Sequence, residues 1–134
     1  MNEKIRTGLL PLVARLLVVS EFVIAVLGKL TGWSDQAAYM TSHGMRLVQP
    51  LLALALAIEL LGSICLILGF QARRAAAVMF LYLGIVSFRL HDFWNKSGMA
   101  AGANQTEFFK NLGIMGGLLM IALYGSGRWA LDRD

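Results

Sequence analysis

Two carboxylates and a set of cations sit within or at the ends of long apolar runs, and their placement is the first pointer to chemistry. Glu59 is the only charge in the 24 residues from Leu47 to Phe70, and Glu21 interrupts the apolar run from Leu9 to Leu30. A carboxylate in the middle of hydrocarbon is costly unless it is protonated, paired or turned toward a polar cavity. At 1.5 Å of rise per residue, each acid falls about 18 Å into its run, near the middle of a bilayer. Arg15 falls about 9 Å into the first run, while Lys29, Arg89, His91, Asp92, Lys110 and Asn111 lie toward the far ends of theirs. The pattern describes a polar path that opens on one side and ends on two acids. Such a path suits a quinone head group, a small anion or proton transfer, with the acids as proton acceptors, His91 as an interfacial relay and the cations as head-group clamps. The competing reading makes the charges structural: Arg15 and Arg89 reach Glu21 or Glu59 and hold the bundle in register.

Other chemistries find little support. Cys65 is the sole cysteine, so there is no intramolecular disulfide, CxxC pair or thiolate cluster, and its apolar surroundings mark a buried hydrophobe. His43 and His91 are the only imidazoles, too few for haem or a metal centre unless Asp92 joins them, and no metal is expected. No GxSxG, HExxH, phosphate-loop or dinucleotide fingerprint is present, and no catalytic residue stands out.

The elements that must position these groups follow from composition. Of 134 residues, 57% are hydrophobic and only 15% charged, against about a quarter charged in a soluble domain, which reads as a membrane protein. The expected fold is all-α, a single antiparallel four-helix transmembrane bundle over 1–134 with spans near 9–30, 47–70, 75–94 and 108–129. The first run, preceded by Lys4 and Arg6, is too long and too charged for a cleaved signal and reads as a span. The four residues Gln71 to Arg74 force the middle spans into a hairpin, and 31–46 and 95–107 read as longer loops.

Despite a formal charge of +4, the basic residues sit mainly at the ends of apolar runs, which signals topology rather than nucleic-acid binding. Lys4, Arg6, Arg73, Arg74, Arg128 and Arg133 gather on one side, against Arg46 and Lys96 in the two longer loops, so both termini are expected in the cytoplasm. Trp33, Tyr39, Phe93, Trp94, Phe108 and Phe109 would line the opposite interface, with Phe70, Tyr124 and Trp129 at the cytoplasmic one. Ala25 and Gly28, then Ala55, Gly62 and Ser63 around Glu59, and Gly113, Gly116 and Gly117 supply small residues for close helix approach. The GxxxG of Gly113 and Gly117 fits packing within the chain better than a homodimer, which it also allows.

In this order, the residues resemble the DoxX family of small four-helix bacterial membrane proteins. The resemblance rests on Arg15, Gly28-Lys29-Leu30, Glu59-Leu60-Leu61-Gly62, Leu68-Gly69-Phe70 with Arg73 and Arg74, and His91-Asp92-Phe93-Trp94. Phe108 to Leu112, Gly116-Gly117, Gly125-Ser126-Gly127 and Leu131-Asp132 complete it. It implies a multi-pass bacterial inner-membrane bundle linked to quinone-coupled sulfur oxidation and to complexes that handle oxidative or thiol stress. With one cysteine and no evident cofactor site, the chain fits a quinone- or anion-binding partner of a redox complex better than a self-sufficient oxidoreductase. A non-enzymatic scaffold or assembly factor is the alternative, and a proton-coupled transporter is disfavoured by the lack of an inverted repeat.

Overall fold

In a computed structural model of the protein, residues 1–132 are described and form an all-helical bundle. A π-helical turn, Ile5–Leu9, leads directly into α1, Leu10–Thr31. A short α2, Trp33–Ser42, crosses the end of the bundle remote from the termini, and α3, Val48–Leu68, returns. The last two long helices are α4, Ala72–Leu90, and α5, Gly98–Tyr124, separated by a single 3-10 turn, Phe93–Asn95. Four segments are long and apolar enough to cross a membrane: Ile5–Thr31, Val48–Leu68, Ala72–Asn95 and Gly98–Tyr124. Helices consecutive among these four pack side by side, and α5 closes on α1. The core is Val19 and Phe22 of α1, Leu66 of α3, Ala72, Ala76, Met79 and Leu83 of α4, and Leu118 and Ile121 of α5. A second cluster of Ala37, Met40 and Leu52 seats α2 on α3.

The fourth long helix departs from the sequence expectation at both ends. It starts at Gly98 rather than Phe108, because Met99 to Glu107 contains good helix formers and a single tolerated Gly102 within its polar stretch. It stops at Tyr124, where Gly125 and Gly127 take left-handed φ values of 86° and 81° and the chain folds back as a strap. The strap's anchorage begins with Pro11, which has no N–H to give the carbonyl four residues earlier. That carbonyl, on Thr7, instead accepts the Arg128 N–H at 2.7 Å. The Leu131 and Asp132 N–H groups donate to the Leu68 and Gly69 carbonyls at 3.0 and 3.1 Å, and the Asp132 carboxylate accepts the Gln71 N–H at 2.6 Å. That last bond holds Gln71 at a left-handed φ of 48°, an unfavourable conformation for a residue with a side chain. Arg133, counted above among the basic residues of the tail, lies outside the described residues.

Close helix contacts depend on only some of the small residues. A Cβ on Gly62 would strike the Met79 thioether, and one on Gly117 would lie 2.7 Å from Val18 Cγ2, so α3 meets α4 and α5 meets α1 at these points. Gly28, Gly113 and Gly116 face open space.

Candidate functional site

Seven of the nine residues singled out from sequence line one cavity: Glu21, Lys29, Glu59, Arg89, His91, Lys110 and Asn111. It occupies about 540 Å³ between α1, α3, α4 and α5, in the half of the bundle remote from the termini, with Gln36, Tyr39 and Met40 of α2 over it. Its walls are mainly aliphatic, from Leu51, Ile58, Val78 and Ile85 among others.

The polar groups fall into separate sets. Glu59, 4% exposed, is brought to the cavity by the α3 face that also buries Leu52, Gly62, Ser63 and Leu66. Lys29 Nζ lies 2.9 Å from its Oε2 and donates a hydrogen bond to Oε1 at 3.0 Å. Tyr82 of α4 donates its hydroxyl proton to the same Oε1 at 2.6 Å. Lys29, which the sequence places toward the far end of its apolar run, is thus drawn inside to 9% exposure by an acid on the neighbouring helix. Half-buried Glu21 pairs with Lys110 at 2.7 Å, and Lys110 also reaches Glu107 at 2.6 Å, one turn earlier on α5. Glu59 therefore pairs with Lys29 and Glu21 shares Lys110 with Glu107, and among the described residues neither predicted acid meets an arginine.

Arg15 lies outside the cavity, at the termini end of the bundle. Its side chain is buried, and it donates to the Leu66 and Ile67 carbonyls at 2.7 and 3.2 Å and to the Trp129 carbonyl. The first two belong to the last turn of α3, where carbonyls lack helical partners and the helix dipole favours a cation. Arg89 is exposed on α4 at the cavity wall and, among the described residues, forms no ion pair. Asn111 donates to Ser87 Oγ at 3.1 Å, and the Ser87 hydroxyl donates to the Leu83 carbonyl at 2.7 Å. This deeply buried link ties α5 to α4.

Asp92 also lies outside the cavity lining. It binds Lys96 at 2.5 Å and Asn95 at 3.0 Å, and stands 4.0 Å from His43 Nε2. His91 turns away from this cluster, its Nδ1 3.2 Å from Asn104 Oδ1. Tyr39 donates to the Leu90 carbonyl at 2.9 Å and so latches α2 to α4; partial burial pushes its phenol above the usual pKa, which keeps it a donor. The aromatic residues at this end form a contiguous set, with Phe93, Trp94 and Phe109 each packed on Phe108.

Tyr82, Glu107 and Tyr39 were not anticipated as site residues. Tyr82 carried one available signal, a hydroxyl within an otherwise apolar run that must bond when buried. Glu107 sits three residues before Lys110 on what sequence treated as loop, so the helical pairing was hidden.

The comparisons agree with this architecture. The DoxX family profile matches residues 10–92. Inner membrane protein YphA of Escherichia coli is 33% identical over 122 residues, 91% of this chain and 87% of that protein. Inner membrane protein YqjF of the same organism is 34% identical over 124 residues, 91% and 88% of the two chains. A more distant similarity, 24% over 140 residues, is to the ER-derived vesicles protein ERV29 of Saccharomyces cerevisiae, covering 98% of this chain but 45% of the yeast protein. No solved structure matches. With its four membrane-length helices and this match through the first three of them, the chain belongs to the DoxX family of membrane proteins.

Proposed function

We propose that the protein binds a small lipophilic molecule with a polar head, of the quinone class, and serves as the inner-membrane partner of a redox assembly. The observation that carries the reading is the cavity: about 540 Å³, mainly apolar, with polar groups gathered at Lys29–Glu59–Tyr82 and at Glu21–Lys110–Glu107. A few directed polar groups in an otherwise apolar hollow of about 300–1,000 Å³ describe a small-molecule site. Arg89, without an ion-pair partner among the described residues, is the cation free to meet a head group, while Lys29 and Lys110 are already engaged. The redox link rests on the family resemblance, and the chain's own side chains are asked only to bind and orient.

A second reading, a membrane scaffold, is favoured by one observation: the three carboxylates that line the cavity, Glu21, Glu59 and Glu107, all pair with lysines of the bundle. Native mass spectrometry of gently extracted protein, with organic extraction of its small molecules, separates the two. Stoichiometric quinone that falls in Arg89→Gln, while the melting temperature is unchanged, is the outcome expected for a binding protein. Ligand-free protein carrying a stoichiometric soluble partner would establish the scaffold.

A further inference from the structure

The cavity is open along one side. Val78, Leu81, Ile85 and Arg89 line it from α4 and Leu51 and Leu54 from α3, yet all six are exposed on the outer surface of the bundle. Steps of three, four and four residues put the α4 set on one face of the helix, over about 17 Å of its length. The hollow therefore continues outward as a groove between α3 and α4, apolar from Val78 to Ile85 and basic at Arg89. Arg89 stands about 26 Å from the Ala72 end of α4, close to the edge of a hydrocarbon core about 30 Å thick. The apolar part of the groove faces acyl chains.

Lys29, Lys110 and Arg89 are the lysines and arginines of the cavity lining, and among the described residues Arg89 alone of these has no anion beside it. Glu59 is held by Lys29, Glu21 and Glu107 by Lys110, and Asp92, three residues along from Arg89, by Lys96. A guanidinium at the hydrocarbon edge attracts phosphate, which its parallel N–H groups bind two at a time. Simple snorkelling needs no hollow beneath the charge. Here the helix face that carries Arg89 is also the wall of an apolar groove.

We propose that this groove seats one anionic phospholipid of the surrounding leaflet, with its phosphate on Arg89 and one acyl chain along Val78, Leu81 and Ile85. The sign of the head follows from charge: a zwitterionic lipid brings its own cation to a site that already holds one. The inference stands on the groove and its charge and goes beyond the quinone reading. Both use Arg89, so a head group bound there and this lipid exclude each other.

In the test, the full chain is reconstituted in quinone-free vesicles of equal parts dioleoylphosphatidylglycerol and dioleoylphosphatidylcholine, extracted gently and weighed by native mass spectrometry. The wild type should retain one phosphatidylglycerol, about tenfold in excess of phosphatidylcholine, as a charge-assisted pair requires. Arg89→Gln should lose that preference at an unchanged melting temperature. Arg74→Gln, which removes an exposed arginine at the opposite end of α4, should keep it. Ile85→Trp fills the groove from an exposed position and should lower retention with Arg89 intact. Equal retention of the two lipids by the wild type, or the same loss in Arg74→Gln as in Arg89→Gln, overturns the site and leaves Arg89 an ordinary interfacial anchor. Unchanged retention in Ile85→Trp overturns the seating of the chain. Because the readout is lipid retained in the absence of quinone, these failures are distinct from a failure of the quinone reading.

Discussion

Lys29 and Glu59 meet at 2.9 Å although 30 residues separate them, and each is among the least exposed charged residues of the bundle. Their charges are tolerated at that depth only because they are together. Removing one leaves the other buried and unpaired, whereas removing both leaves apolar surface to repack.

Lys29→Met is accordingly expected to destabilise the bundle by about 3–5 kcal/mol, while Lys29→Met with Glu59→Met returns close to wild type. Reversible unfolding in mixed micelles measures the cycle. Additive losses in the double variant would mean that the two charges act independently. Glu59→Gln belongs with the first variant: it keeps the Tyr82 hydrogen bond but strands the lysine.

Arg15→Met should cost about 2–4 kcal/mol, since it orphans carbonyls at the end of α3 and on the strap. The loss should be local first. Hydrogen exchange at the Arg128, Leu131 and Asp132 amides is expected to rise before that of the α4 core, and uniform protection of the strap would refute this role for Arg15.

The small residues divide into two groups. Gly62→Ala and Gly117→Ala push a methyl into Met79 and Val18 and should each cost about 1–3 kcal/mol. Gly113→Ala and Gly116→Ala face open space and should fall within about 1 kcal/mol of wild type on the stabilising side, through helix propensity. If the second pair instead breaks a dimer in crosslinking assays, that face of α5 joins two copies of the chain.

Both termini are proposed to lie in the cytoplasm. With Cys65→Ala as background, Ser42→Cys should react with an impermeant maleimide in intact cells and Phe70→Cys should react only after lysis; both positions are exposed. The reverse pattern would invert the topology.

The all-helical, four-span architecture and the inward placement of Glu59 were readable because they depend on hydropathy and on the cost of a lone charge in an apolar run. The choice of partner was not. Lys29 rather than Arg15 or Arg89 meets Glu59 because of how α1 and α3 are rotated about their axes, and the apolar spans give little guide to rotation when lipid and core are equally apolar. Arg15 was read as a partner for an acid because it is a cation, yet its needs are met by backbone carbonyls that carry no sequence signature. The strap was hidden for the opposite reason: Arg128 and Trp129 have ordinary terminal-anchor residue types, and the Pro11 gap that receives one of them lies more than a hundred residues away.

Arg15 draws its hydrogen bonds from parts of the chain made at very different times. Leu66 follows it by 51 residues, and Trp129 by 114. While the protein is being inserted, the guanidinium in the first helix must therefore wait for the second long helix and then for the last residues before its backbone partners are all present. Until Trp129 emerges, the helices already in the membrane leave that cation incompletely held. The strap thereby makes full closure at this end of the bundle a late event, so that the first helix is secured only by a segment beyond the fourth long helix.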